Sequence, residues 1–210
     1  MNNYSDEMNE IQKDVLREIA NIGAGHAASA LAAMLGKPIV QTVPSVKLVP
    51  LSEMPHILGG AEKVVVAGAL QISGDFSGYL LMFLDFDQAE KIISLVKGKP
   101  RRKTGNISLH RISAMDKSVL SETVNIMGGS YLTAIAEFTN LKMIQSIPYL
   151  CLDMVGAVIS IAVTETGKTG DFAVMFESEL YNEKERIIGS LFLIPDEGSC
   201  CTILKVLGIT

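Results

Sequence analysis

The sequence predicts an α+β fold. It is a pseudo-two-fold duplicated unit, with two long outer helices packed on a joined antiparallel sheet. Three observations carry that expectation. Residues 14–44 and 118–148 align without a gap at a constant offset of 104, and ten of the 31 positions are identical. Each copy reads as a long helical pattern followed by strand-like apolar runs. Hydrophobic residues make up 48% of the chain, enough for a sizeable core, and charged residues 20%, which argues against disorder.

The elements follow in order. "DVLREIANIGAGHAASALAAMLGKPIVQTVP" opens the first copy as a long helix, and "SVLSETVNIMGGSYLTAIAEFTNLKMIQSIP" opens the second. The identities include Leu16/Leu120, Glu18/Glu122, Asn21/Asn125, Ile22/Ile126, Gly25/Gly129, Gln41/Gln145 and Pro44/Pro148. After each Pro comes a β-rich part, residues 63–86 and 157–178. Both parts hold two strand-like runs around a turn ending in Gly-Asp-Phe, at 74–76 and 170–172. A short amphipathic stretch, 87–98 and 199–208, closes each half. Such a half cannot cover its own apolar sheet, so the two halves pair. The expected organisation is one domain over 1–210, made of repeats at about 12–98 and 112–208 and joined by a basic, solvated loop at 97–108.

Net charge is −5, which argues against nucleic acid as the main partner. The N-terminus is polar and acidic, unlike a secretory signal, and the longest small-apolar run, "HAASALAAMLG", is too short to span a bilayer. A cytoplasmic protein without a membrane span is expected. The three cysteines, Cys151, Cys200 and Cys201, include no C-x-x-C pair, and the three histidines are scattered, so no metal site is expected. A nucleotide-binding loop is disfavoured because "GAGHAASA" lacks the Walker pattern and its glycines lie inside a helical pattern.

The chemistry-bearing residues lie on the two helices. Residues three apart share a helix face, so Glu18 projects with Asn21 and Glu122 with Asn125; Asp14 and Ser118 sit one turn earlier on the same stripe. An amide does not titrate in water, but it accepts and donates hydrogen bonds and can hold a water molecule. A carboxylate can hold a cation, act as a base or pair with a partner's lysine. The stripe has no nucleophile, metal or pocket, so it makes chemical sense where a partner supplies them. Gly23, Gly25 and Gly129 weaken the helices by about 1 kcal/mol each relative to alanine. Their bare surface serves close packing on the chain's own sheet or close approach of a partner.

The pattern of Asp or Ser, three residues, Glu, two residues, Asn, then twenty-two residues and Pro occurs twice: Asp14, Glu18, Asn21, Pro44, and Ser118, Glu122, Asn125, Pro148. It resembles the CheC-type chemotaxis phosphatases, the family that also holds CheX and FliY. The resemblance covers nearly the whole chain, and it implies a phosphatase that hydrolyses the aspartyl phosphate of the response regulator CheY. Asn21 and Asn125 would orient the attacking water, and Glu18 and Glu122 would contact the regulator. The chain would need no cofactor of its own, because the regulator brings Mg²⁺. The resemblance also implies binding of the receptor deamidase CheD. Relatives with one motif dimerise, so two motifs favour a monomer here. A flagellar switch component is the competing expectation; it is disfavoured because both Glu–Asn pairs are kept and because a further C-terminal segment would be expected for ring assembly. A non-catalytic adaptor that regulates CheD is the other.

Overall fold

A computed structural model describes residues 10–41, 45–98, 112–165, 172–181 and 186–206. The first half contains α1 (Glu10–Leu35), β1 (Val40–Gln41), β2 (Ser45–Pro50), a one-turn helix α2 (Met54–Ile57), β3 (Val64–Gly74), β4 (Gly78–Leu84) and α3 (Phe86–Lys97). The second half repeats the order with α4 (Ala114–Thr139), β5 (Met143–Gln145), β6 (Tyr149–Met154), α5 (Val155–Glu165), β7 (Phe172–Tyr181), β8 (Arg186–Pro195) and α6 (Glu197–Val206).

The long helices start and stop on local signals. Ser113 caps α4 in a reciprocal box: its hydroxyl accepts from the Asp116 N–H at 3.2 Å, and the Asp116 carboxylate accepts from the Ser113 N–H at 3.0 Å. Gly36 after α1 and Asn140 after α4 both take left-handed backbone, φ 62° and 54°. These positions are equivalent in the repeat, and glycine and asparagine are the residues that adopt this conformation at helix ends most readily.

The eight strands among the described residues form one antiparallel sheet, ordered β1-β7-β8-β4-β3-β5, with β2 also on β7 and β6 also on β3. The first strands of each half therefore pair with the hairpin of the other half. At the centre β4 meets β8, with Gly78 opposite Pro195 and Phe83 opposite Ser190. Side chains alternate between two apolar faces. Leu80, Met82 and Leu84 point with Phe176 and Leu191 toward α1, α3 and α4, while Leu81, Phe83, Met175 and Phe192 point toward α2 and α5.

Two expectations need correction. Residues 157–164, read from the sequence as a strand, belong to the helix α5. Their β-branched composition suggested a strand, but Val155, Val158, Ile159 and Ala162 form a helical stripe that buries against the second face of the sheet. The Gly-Asp-Phe at 170–172 accordingly does not sit between two strands of a hairpin, as 74–76 does. Phe172 begins β7, whose hairpin partner is β8, while Gly170 and Asp171 lie outside the described residues. The closing stretches 87–98 and 199–208 do carry helices, α3 and α6. Of the loop at 97–108, only Lys97 and Gly98 are described.

Among the described residues, one ion pair joins the halves. Lys97 at the end of α3 bonds Asp116 at the start of α4, and the Ser113 hydroxyl donates to the same carboxylate at 2.7 Å. Burial opposes the charge on Asp116, but the bonds from Lys97 and Ser113 outweigh it and lower its pKa. A carboxylate with a depressed folded-state pKa stabilises the fold above its unfolded value, about pH 4, and that contribution is lost as pH falls through the folded value. Asp116→Asn is therefore expected to cost about 1.5–3 kcal/mol at pH 7. In denaturant titrations from pH 7 to 3, the parent and variant curves should converge at the acid end.

Candidate active site

The site residues stand on the faces of α1 and α4 that the core leaves free. The buried side of α1 runs through Leu16, Ile19, Ala20, Gly23, Ala24, Ala27 and Leu31, and that of α4 through Leu120, Thr123, Val124, Met127, Gly128, Tyr131 and Leu132. Off that side, Asp14 and Glu18 are exposed and Asn21 is half-buried. Ser118, Glu122 and Asn125 repeat those burial states one for one. Two equivalent Glu–Asn stripes are thus presented, one per half.

The stripes differ in their surroundings. In the first, Arg17 bonds Asp14 at 2.6 Å in an exposed pair. Ser118 and Ser121 hold those positions in the second. No hydrogen bond or ion pair engages the side chains of Glu18, Asn21 or Glu122 among the described residues. Asn125, in contrast, accepts at Oδ1 from Gln145 Nε2 at 3.0 Å. Sequence reasoning missed Gln145 as part of the site, although Gln41/Gln145 is one of the ten repeated identities. Pro148 is half-buried beyond β5; Pro44 lies outside the described residues.

The glycines divide. A Cβ on Gly25 would meet nothing within 4 Å, so Gly25 leaves open surface beside Asn21. A Cβ on Gly129 would stand 3.1 Å from Gln145 Oε1. Gly23 does not serve the outer surface: it is buried, and its Cβ would lie 3.0 Å from Tyr131 Cα. The close approach there is by α4 of the same chain, because the two helices cross at that point. Gly128 of α4 packs against Leu70 and Leu80 of the sheet. Gly25→Ala is accordingly expected to raise stability by about 1 kcal/mol through helix propensity. Gly23→Ala should lose that gain and destabilise, because the obstructing atom is backbone. Paired urea titrations that gave both variants the same sign would contradict this division.

Chemically, each stripe offers a carboxylate and an amide. Among the described residues, no cluster of three or more histidine, cysteine or acidic side chains forms a metal site. No helix among them is long and apolar enough to cross a membrane.

A model of the CheC-like family matches residues 11–48 and 115–148, the two segments that carry the stripes. The CheY-P phosphatase CheC of Bacillus subtilis (strain 168) is 36% identical over 201 residues, 95% of each chain. The chain belongs to the CheC-like family. A second relative, the flagellar motor switch phosphatase FliY of the same organism, is 30% identical over 138 residues; the match spans 66% of this chain and 35% of that protein. The crystal structure of Thermotoga maritima FliY superposes with a TM-score of 0.69 at 20% identity, covering 96% of this chain and 98% of that one. The last likeness is one of fold. This CheC-like chain therefore has the α+β architecture that its sequence predicts.

Proposed function

We propose that the chain is a phosphatase that removes the aspartyl phosphate from the chemotaxis response regulator CheY. The observation that carries this reading is the matched pair of exposed Glu–Asn stripes, in a chain 36% identical to a protein named CheY-P phosphatase CheC. In the reaction, water oxygen attacks phosphorus, the bond from phosphorus to the aspartyl oxygen breaks, the regulator's carboxylate leaves, and inorganic phosphate is released. Asn21 and Asn125 each hold and orient that water. Glu18 and Glu122 contact the regulator, where a carboxylate can pair with a lysine. Gly25 keeps the helix surface beside Asn21 low enough for the regulator to approach. An amide and a carboxylate cannot polarise a phosphoryl group unaided, so the Mg²⁺ of the reaction belongs to the regulator.

The two stripes make two sites on one duplicated domain, so the working unit is a cytoplasmic monomer. CheD is a second partner on this reading. A purely adaptor role with CheD, or a place in the flagellar switch, would leave the Asn stripes without use.

The test is phosphate release from purified phosphorylated CheY with and without the chain. Release at the regulator's own rate would end this reading. Glu18→Gln combined with Glu122→Gln keeps shape and removes charge. That variant is expected to bind the phosphorylated regulator more weakly by about 1–3 kcal/mol. Unchanged binding with lost turnover would assign the glutamates to general-base work instead.

A further inference from the structure

The geometry points to Gln145 as a positioning residue that presets Asn125, making the two sites of one chain kinetically unequal. This inference rests on the phosphatase reading above. A terminal amide torsion is broad, so a free asparagine offers its oxygen and its N–H groups to a partner over many angles. Orienting a water in line with phosphorus requires one of those angles. Gln145 Nε2 donates to Asn125 Oδ1 at 3.0 Å. The bond uses one lone pair of that oxygen and leaves the other, with both Nδ2 hydrogens, for water and regulator.

Two further observations support the assignment. First, Gln145 stands on an anchored element: it pairs with Ile72 of β3, the next residue's N–H donates to Gln71 O at 2.9 Å, and Gln71 N–H donates to Ser146 Oγ at 3.0 Å. Second, the Gln145 amide lies 3.1–3.2 Å from the place a Cβ on Gly129 would occupy. Gly129 thus clears the path by which Gln145 reaches Asn125 one turn earlier. At the first site, Gln41 holds the equivalent sequence position on β1, yet no hydrogen bond engages the side chain of Gln41 or Asn21 among the described residues, and the space over Gly25 is open. The second site is preset; the first orders its amide only when the regulator arrives.

The experiment isolates each site in the full chain. Asn21→Ala leaves the second site and Asn125→Ala the first. Gln145→Met, which keeps bulk and removes the donor, is added to both backgrounds. Expected with the second site alone is a fall in kcat of roughly three- to tenfold, the range a net hydrogen bond supplies. KM should change little, and binding of beryllofluoride-activated CheY should be retained. With the first site alone, the same substitution should change nothing. An unchanged kcat at the second site, a change in KM alone, or an equal fall in both backgrounds would overturn the inference. Side-chain amide NMR of Asn125 reads the bond without turnover; its resonances should shift in Gln145→Met, and an unmoved spectrum would also overturn it. If the parent chain fails to accelerate phosphate loss, the phosphatase reading fails by itself, and the NMR still decides whether Gln145 holds Asn125.

Discussion

Replacing Asn21 and Asn125 together by alanine is expected to return phosphorylated CheY to its own rate of phosphate loss. On the proposed mechanism each site would lose the group that orients water, an effect of about 10²-fold or more when a preorganised polar partner is removed. Either single variant keeps the other stripe and should retain partial activity. Folding should hardly suffer. Alanine is the better helix former by about half a kcal/mol, and the Asn21 side chain makes no bond among the described residues, so Asn21→Ala is expected to be slightly stabilising. Asn125→Ala gains the same propensity and loses the bond from Gln145, worth about 1 kcal/mol, so it should lie near neutral. Phosphate-release kinetics beside urea titrations separate loss of chemistry from loss of fold. A double variant as active as the parent would remove both asparagines from the mechanism.

Phe176→Ala should have the largest effect on stability. Phe176 is 1% exposed in the middle of β7, where it pairs with Val46 of β2 and Leu191 of β8. Its ring lies 5.1 Å from that of Tyr131, the residue against which Gly23 of α1 packs. One side chain thus joins strands of both halves to the crossing of the two long helices. Truncating a buried phenylalanine costs about 3–5 kcal/mol through lost transfer energy and the cavity left behind. That is a large fraction of the roughly 5–15 kcal/mol that holds an ordinary domain together. The urea midpoint should fall accordingly with little change in slope. A loss under about 1 kcal/mol would mean that the α1–α4 crossing does not depend on this ring.

Much of the protein is legible in its sequence. The Glu–Asn spacing of three places both groups on one helix face whatever the tertiary fold, because helix geometry is local. The repeated identities marked both long helices, and the caps at Gly36 and Asn140 follow from local backbone preference. The two apolar runs around a turn in 63–86 named β3 and β4, since a short continuous apolar run bounded by a turn is the mark of a strand buried on both faces. The helix α5 was not legible in that way. A β-branched run of eight residues suits either state, and what decided it was an apolar sheet face that only the assembled halves create. The exchange of first strands between the halves was likewise invisible, because pairing partners so distant in sequence leave no local signal. The glycines divided for the same reason: Gly23 and Gly25 are alike in the sequence, and the crossing of α1 with α4 buries one and leaves the other open. Gln145 stood in the sequence as a repeated identity, but its bond to Asn125 depends on β5 being held beside α4, twenty residues away along the chain. The helices and the chemistry of their stripes were thus determined by the sequence itself, through short-range geometry. Which side chains meet across the two halves was decided by the tertiary structure, because those contacts join residues that the chain brings together only by folding.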